Sequence, residues 1–275
     1  MRRVLLLMLT GCAAFCSQAQ HPADTTGRDT ASVRALIRLS KDHQWINPLL
    51  SMKYADRALL LSQQLNYPEG KAGAKNQLGF SYWTLGDNDL AVQQAMEALD
   101  IGQRQEDIDL QAESQYVLAR GYMDVLEKEK AWESITKAVA LAESGKNWEL
   151  LCSIYNLMGV IQFIDNNQDS ALVLYNKAFD FGKLHSVDPI NFPRIISNIG
   201  ECYAIENPKT AMRYFNTALD LAGGTNNQIA KASIMAIIGH AHLRRNDMKS
   251  AETNLVGALK LARSLGLRRV IRHAY

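Results

Sequence analysis

Few of the devices that cross-link, break or strongly charge a protein are present in this chain. Six prolines are spread over 275 residues, so long helices can form without the lost donor and ring clash that proline imposes. Of the four cysteines, two lie within the first sixteen residues, which excludes a disulfide-stapled scaffold. Cys152 and Cys202 are about nine residues out of phase along neighbouring repeats, or roughly 13 Å at the helical rise. A disulfide tolerates only about 7 Å between Cα atoms, so two separate buried thiols are expected. Charge of one sign is also scarce. Thirty Lys and Arg face twenty-eight Asp and Glu, and removing Arg2 and Arg3 with the amino-terminal segment would leave a nearly neutral chain. That removes the bulk attraction on which non-specific DNA binding relies, and nucleic acid is not an expected partner. Runs that alternate apolar and polar residues are missing, and β-branched residues never cluster, so strands are not expected.

Catalytic signatures are missing as well. There is no His-Glu-x-x-His, no Cys-x-x-Cys, no glycine-rich phosphate loop and no Gly-x-Ser-x-Gly elbow. His240 and His242 are two apart on a helix and point in nearly opposite directions, so they cannot share a metal. Glu106, Asp107 and Asp109 read as a solvated turn. No enzyme activity, cofactor or metal site is expected.

The amino terminus is of a different kind. Arg2 and Arg3 precede an apolar stretch from Val4 to Phe15, and Ser17-Gln18-Ala19 offers small residues for cleavage before Gln20. This pattern predicts a signal peptide over 1–19, too short to span a membrane. A second reading takes Leu9-Thr10-Gly11-Cys12 as a lipobox, with Cys12 lipid-modified and acting as a membrane tether. Both predict an exported protein, periplasmic or anchored facing the periplasm. Residues 20–30 are polar and read as a linker.

The rest of the chain repeats. Ala91, Ala131, Ala171, Ala211 and Ala251 are spaced by forty residues, and Ala98, Ala138, Ala178, Ala218 and Ala258 follow each by seven. About twelve residues before each first alanine stands an apolar–small pair: Leu78-Gly79, Leu118-Ala119, Met158-Gly159, Ile199-Gly200 and Ile238-Gly239. Three residues further on come Tyr82, Tyr122 and Tyr203, with Gln162 and His242 in the same slot of the other units. Small residues let antiparallel helices cross closely. The large residues four positions after the first alanine (Ile135, Tyr175, Phe215, Leu255) are expected to fill the space beside the next unit. One helix pair cannot bury its apolar face, so pairs must stack.

An apolar-Gly pair, a tyrosine three residues on, and small–aromatic–small on the second helix resemble the tetratricopeptide repeat, over about residue 30 to the end. The usual period is about thirty-four residues; here it is forty, as in longer variants. The resemblance implies an all-α, right-handed superhelical solenoid of about six antiparallel helix pairs over 31–275. The segment 266–275 is read as a truncated seventh unit, with a short capping helix as the alternative. The resemblance further implies a non-catalytic scaffold holding a protein or an extended peptide in its concave groove. The alternative is the extracytoplasmic sensor portion of a longer membrane signalling protein, a histidine kinase or helix-turn-helix regulator whose carboxy-terminal span is missing.

In such arrays the first helix of each unit lines the groove, and the helical phase then predicts which residues face it. These are Asn76, Phe80 and Trp83 in the second unit, Tyr116 and Arg120 in the third, and Asn156 and Phe163 in the fourth, with packing inside the stack the alternative for Trp83 and Phe163. Arg194, Glu201 and His240 follow in the last two. Asn76 and Asn156 share a slot two units apart, and a side-chain amide there could clamp a peptide backbone. Arg120 or Arg194 would suit a carboxylate on that peptide.

Overall fold

The computed structural model describes residues 27–274, and among these every regular element is a helix. Six antiparallel pairs follow one another: α1 (Thr30–His43) with α2 (Pro48–Gln64), α3 (Pro68–Leu85) with α4 (Asn88–Arg104), and α5 (Ile108–Asp124) with α6 (Lys128–Ser144). Then come α7 (Trp148–Ile164) with α8 (Gln168–Leu184), α9 (Phe192–Cys202) with α10 (Pro208–Gly224), and α11 (Gln228–Arg244) with α12 (Met248–Leu265). A short α13 (Arg268–His273) occupies the segment expected to open a seventh unit.

Local chemistry sets the helix ends. Asn47, Asp107, Asn147, Asn207, Asn227 and Asp247 each accept the backbone N–H three residues on, satisfying one of the orphan donors of a helix start. Pro48 and Pro208 sit in the first turn, where a missing N–H costs nothing. The chain turns by means of one left-handed residue after each helix except α1 and α9, at 66, 86, 106, 126, 146, 166, 186, 226, 246 and 266. These positions fall twenty residues apart and skip only 206. There the fifth unit slips by one residue, as its pair Ile199-Gly200 does in the sequence.

Asparagine or glycine occupies six of these ten positions, as sterics favour. Leu126 does not fit: it holds φ 65 with its side chain 80% exposed. Nothing packs on it in return for the strain. Leu126→Gly is therefore expected to raise stability by about 1 kcal/mol, read as a higher urea midpoint with unchanged slope. An unchanged or lower midpoint would refute the strain argument.

The alanine ladder is the seam of the stack. All ten period-forty alanines are at most 2% exposed. One core cluster runs from Trp45 to Val270, while the first pair closes on a smaller cluster made by Val33, Leu36, Ala58 and Ala74. The large residues four positions after the first alanine pack differently from expectation. A Cβ on Gly159 would lie 2.5 Å from the Tyr175 ring, one on Gly200 2.8 Å from Phe215, and one on Gly239 2.6 Å from Leu255. Each large side chain thus covers the small residue of its own unit's first helix, closing the pair, whereas the sequence reading aimed it at the next unit.

Stacking is reinforced by polar bonds at about one repeat's separation. Asn147 donates to Asp109 (3.3 Å), Asn191 to Glu149 (3.2 Å), and Asn227 to the Ile190 carbonyl (2.8 Å). Cys152 and Cys202 are separate buried thiols; burial pushes them up to about 12 and about 11, leaving both protonated at neutral pH.

Candidate functional site

The solenoid curls far enough for its ends to meet. Arg268 pairs with Asp87 at 2.5 Å across 181 residues, and Arg269 with Asp124 at 3.3 Å across 145. The backbone N–H of Ile229, at the start of α11, donates to the carbonyl of Trp45 in the α1–α2 turn at 3.3 Å. The concave face is therefore the inside of a nearly closed turn, with α13 lying against α3.

Five elements send side chains into it. Trp45 comes from the first turn, Phe80 and Trp83 from α3, Tyr116 and Arg120 from α5, Arg194 from α9 and Arg269 from α13. Trp45 meets Phe80 edge-on at 5.0 Å, and Phe80 lies 5.4 Å from Trp83. The guanidinium of Arg120 stands 4.1 Å over Trp83 and 4.6 Å over Tyr116, and one of its terminal nitrogens donates to the Tyr116 hydroxyl. Arg269 covers Trp83 at 4.3 Å, and Arg194 covers Trp45 at 4.1 Å. Trp83 is thus flanked by two guanidiniums, an arrangement in which the ring quadrupole offsets part of the cost of burying charge. Three cations nevertheless share the centre. Burial, with Arg120 and Arg269 nearby, pushes Arg194 down to about 9. Burial also lowers Arg269, against the pull of Asp124.

Phe80, Trp83, Tyr116 and Arg120 are buried here, whereas Phe163, Arg194, Glu201 and His240 remain half-buried. The two asparagines occupy a different role from the one expected of them. Asn76 is 1% exposed; its amide donates to the Leu110 carbonyl at 3.2 Å and accepts from Ser114 at 2.8 Å. Asn156 is 4% exposed and accepts from Asn198 at 2.9 Å. Both tie one unit's first helix to the next, so the peptide-clamp role read from their shared slot is corrected: their polar groups are taken up by the stack. Trp45 and Arg269 were not among the expected groove residues. The only signals were a lone tryptophan in an otherwise polar turn and an arginine pair where the repeat breaks off.

Glu201 lies on α9, and burial pushes its carboxyl up to about 7 despite Arg244 nearby. The folded state therefore holds this proton more tightly than the unfolded state. Stability should fall as pH rises from about 4.5 to about 7 and level off above. Glu201→Gln should flatten that window and exceed the wild type at pH 8 by about 2 kcal/mol, measured by urea denaturation at several pH values. An unchanged pH profile would show that the carboxyl is solvated.

Comparison with known proteins agrees with this architecture. Residues 72–101, which span most of α3 and α4, match the family model of the tetratricopeptide repeat. The chain carries a tetratricopeptide-type solenoid. Among solved structures it is similar to NprR in complex with its cognate peptide NprX, at 12% identity and a TM-score of 0.68, over 88% of this chain and 71% of that one. It is similar to a Rap protein complexed with competence and sporulation factor, at 14% identity and a TM-score of 0.65, over 89% and 72%. Aspartyl phosphate phosphatase F from Bacillus subtilis shares 13% identity with a TM-score of 0.65; there 83% of this chain spans only 59% of that one. At such identities the likeness is one of fold. No curated protein matches by sequence.

These tetratricopeptide neighbours overturn the exported, periplasmic or membrane-anchored placement expected from residues 1–19. Solved proteins whose fold the chain shares include Rap and NprR proteins. The reading as an extracytoplasmic sensor loses its ground with that placement. The expected signal peptide and the Cys12 tether lie outside the described residues.

Proposed function

We propose that this solenoid is a non-catalytic scaffold that holds an extended peptide, or an extended segment of a protein, against its concave face. The observation that carries the reading is the convergence of aromatic and arginine side chains from five separate elements on that face. Tryptophan, tyrosine and arginine are the residues that anchor interfaces. Support also comes from the fold's relatives: an NprR and a Rap protein whose structures were solved with a peptide or peptide factor bound. The half-buried Phe163, Arg194, Glu201 and His240 supply contact surface, and the buried Phe80, Trp83, Tyr116 and Arg120 form a fixed cluster on the same face. Asn76 and Asn156 contribute by fixing the spacing of the first helices.

The test is affinity selection from a random peptide library on the immobilised full chain, followed by fluorescence anisotropy with the selected peptide. Phe163→Ala combined with His240→Ala should weaken that peptide by about tenfold or more, as loss of interface anchors does. Val173→Asp, on the outer surface where Val173 is 67% exposed, should leave it unchanged. Failure to select any peptide, or equal loss in the outer-face variant, would end the concave-face reading.

A further inference from the structure

We propose that the centre of the concave face is an oxyanion site formed by Arg120, Arg194 and Arg269 with the indole N–H groups of Trp45 and Trp83, and that it takes a carboxylate of the bound peptide. The inference rests on the peptide-binding reading above and deepens it by naming the recognised group.

Three observations carry it. First, the centre is rich in donors and poor in acceptors. The Trp45 and Trp83 indole nitrogens and the Arg120 Nε are buried and find no acceptor, in residues that are 3%, 3% and 4% exposed. Buried donors without acceptors are rare in folded proteins. Second, positive charge is left in excess. Asp124 pairs with Arg269, and the neutral hydroxyl of Tyr116 is all that Arg120 and Arg194 share. Third, the donors come from different places along the chain yet meet in one cluster: Trp45 before α2, Trp83 on α3, Arg120 on α5, Arg194 on α9 and Arg269 on α13. The guanidiniums of Arg120 and Arg269 lie within 4.3 Å of the Trp83 ring, and those of Arg120 and Arg194 within 6.0 Å of the Trp45 ring.

A group that satisfies this set must only accept hydrogen bonds and must be negative. A carboxylate offers about four lone-pair sites and matches the flat fork of a guanidinium. A cation, an amide or an apolar side chain would leave the donors unpaired. Arg269 retains 32% side-chain exposure, which marks the open side of the cluster. The lowered proton affinities of Arg194 and Arg269 agree: their charge is disfavoured as the centre stands, and an anion would restore it. Because its donors belong to both the early and the late units, a bound carboxylate would join the two ends of the turn.

The experiment has two arms, both on the full chain. In the first, thermal unfolding is followed in sodium phosphate and in sodium chloride at matched ionic strength. Wild type should gain more from phosphate than Arg194→Gln or Arg120→Gln does. Equal gains would reduce phosphate to its general salting effect and overturn the site. If Arg120→Gln does not fold, Arg269→Gln replaces it, since that side chain is a third exposed.

The second arm uses the peptide selected above in three forms: intact, with its carboxy terminus amidated, and with each Asp or Glu changed to its amide. One neutralised form should lose about tenfold or more on wild type, the ratio expected for a charge-assisted hydrogen bond, and almost nothing further on Arg194→Gln. Which form loses identifies the carboxylate as terminal or side-chain. If all three bind wild type equally, the oxyanion site is refuted while peptide binding stands. If no peptide is selected, the peptide reading fails and the phosphate arm still decides whether the centre binds oxyanions.

Discussion

Gly159→Ala should destabilise the protein by about 2 kcal/mol although a helix ordinarily gains from the change. Alanine is favoured over glycine in a helix interior by about 1 kcal/mol. Here the added methyl would stand 2.5 and 2.6 Å from two carbons of the Tyr175 ring, closer than real side chains come. Tyr175 is 1% exposed and in the continuous core, so the ring has no free space to retreat into. Overpacking a dense core typically costs about 1–3 kcal/mol, which outweighs the propensity gain. The third unit already contains the solution to this clash: Ala119 stands in the glycine slot and Ile135 in the tyrosine slot, both fully buried. Gly159→Ala combined with Tyr175→Ile should therefore recover most of the loss. Urea denaturation of both variants and of Tyr175→Ile alone closes the cycle. A single Gly159→Ala variant at or above wild-type stability would show that the ring does not rest on the glycine.

Trp45→Ala should cost about 3 kcal/mol, at the lower end for truncating a buried aromatic, and it should also open the molecule. Trp45 is 3% exposed, meets Phe80 edge-on and supports the Arg194 guanidinium. Its turn contributes the carbonyl that receives the Ile229 N–H. Removing the indole takes away the packing that holds the first turn against the fifth and sixth units. Each helix pair would keep its own alanine seam, so helicity by circular dichroism should change little. The radius of gyration from solution scattering should rise. Full loss of stability with an unchanged radius would mean that Trp45 packs only within its own end of the stack. The ion pairs Arg268–Asp87 and Arg269–Asp124 are at least partly exposed and would not hold the ends together alone, since such pairs contribute about 1 kcal/mol or less.

Much of the site was legible, and what was not has a common cause. The tetratricopeptide resemblance together with helical phase puts Phe80, Trp83, Tyr116, Arg120 and Arg194 on the same face, and ring and guanidinium contacts join them in one cluster with Trp45. Phase fixes direction, because side chains 100° apart on each helix point to separate neighbours. It says nothing about distance across the turn. Asn76 and Asn156 have the phase of groove residues, yet the adjoining helix comes near enough to take their amides, through Ser114 and the Leu110 carbonyl in one case and Asn198 in the other. α3 shows the same limit. It was expected to expose a groove face and is buried nearly all round, because Trp45 of the preceding unit and α13 from the other end of the chain both reach it. The expected export of the protein failed for a different reason. It was read from the amino-terminal segment alone, and the fold's likeness to Rap and NprR proteins overturns it.

The sequence by itself determined the repeat. A forty-residue spacing of alanines sets where helices can cross, and asparagines and aspartates set where many of them begin. These are local constraints, each acting within one unit or between neighbours, so a single chain read in order contains them. Only the tertiary structure decided that the two ends meet and that the concave face closes on its own tryptophans and arginines. That outcome is the sum of a small rotation at each of the interfaces between pairs. A change too slight to see in any one repeat accumulates into contact or separation between residues 181 positions apart.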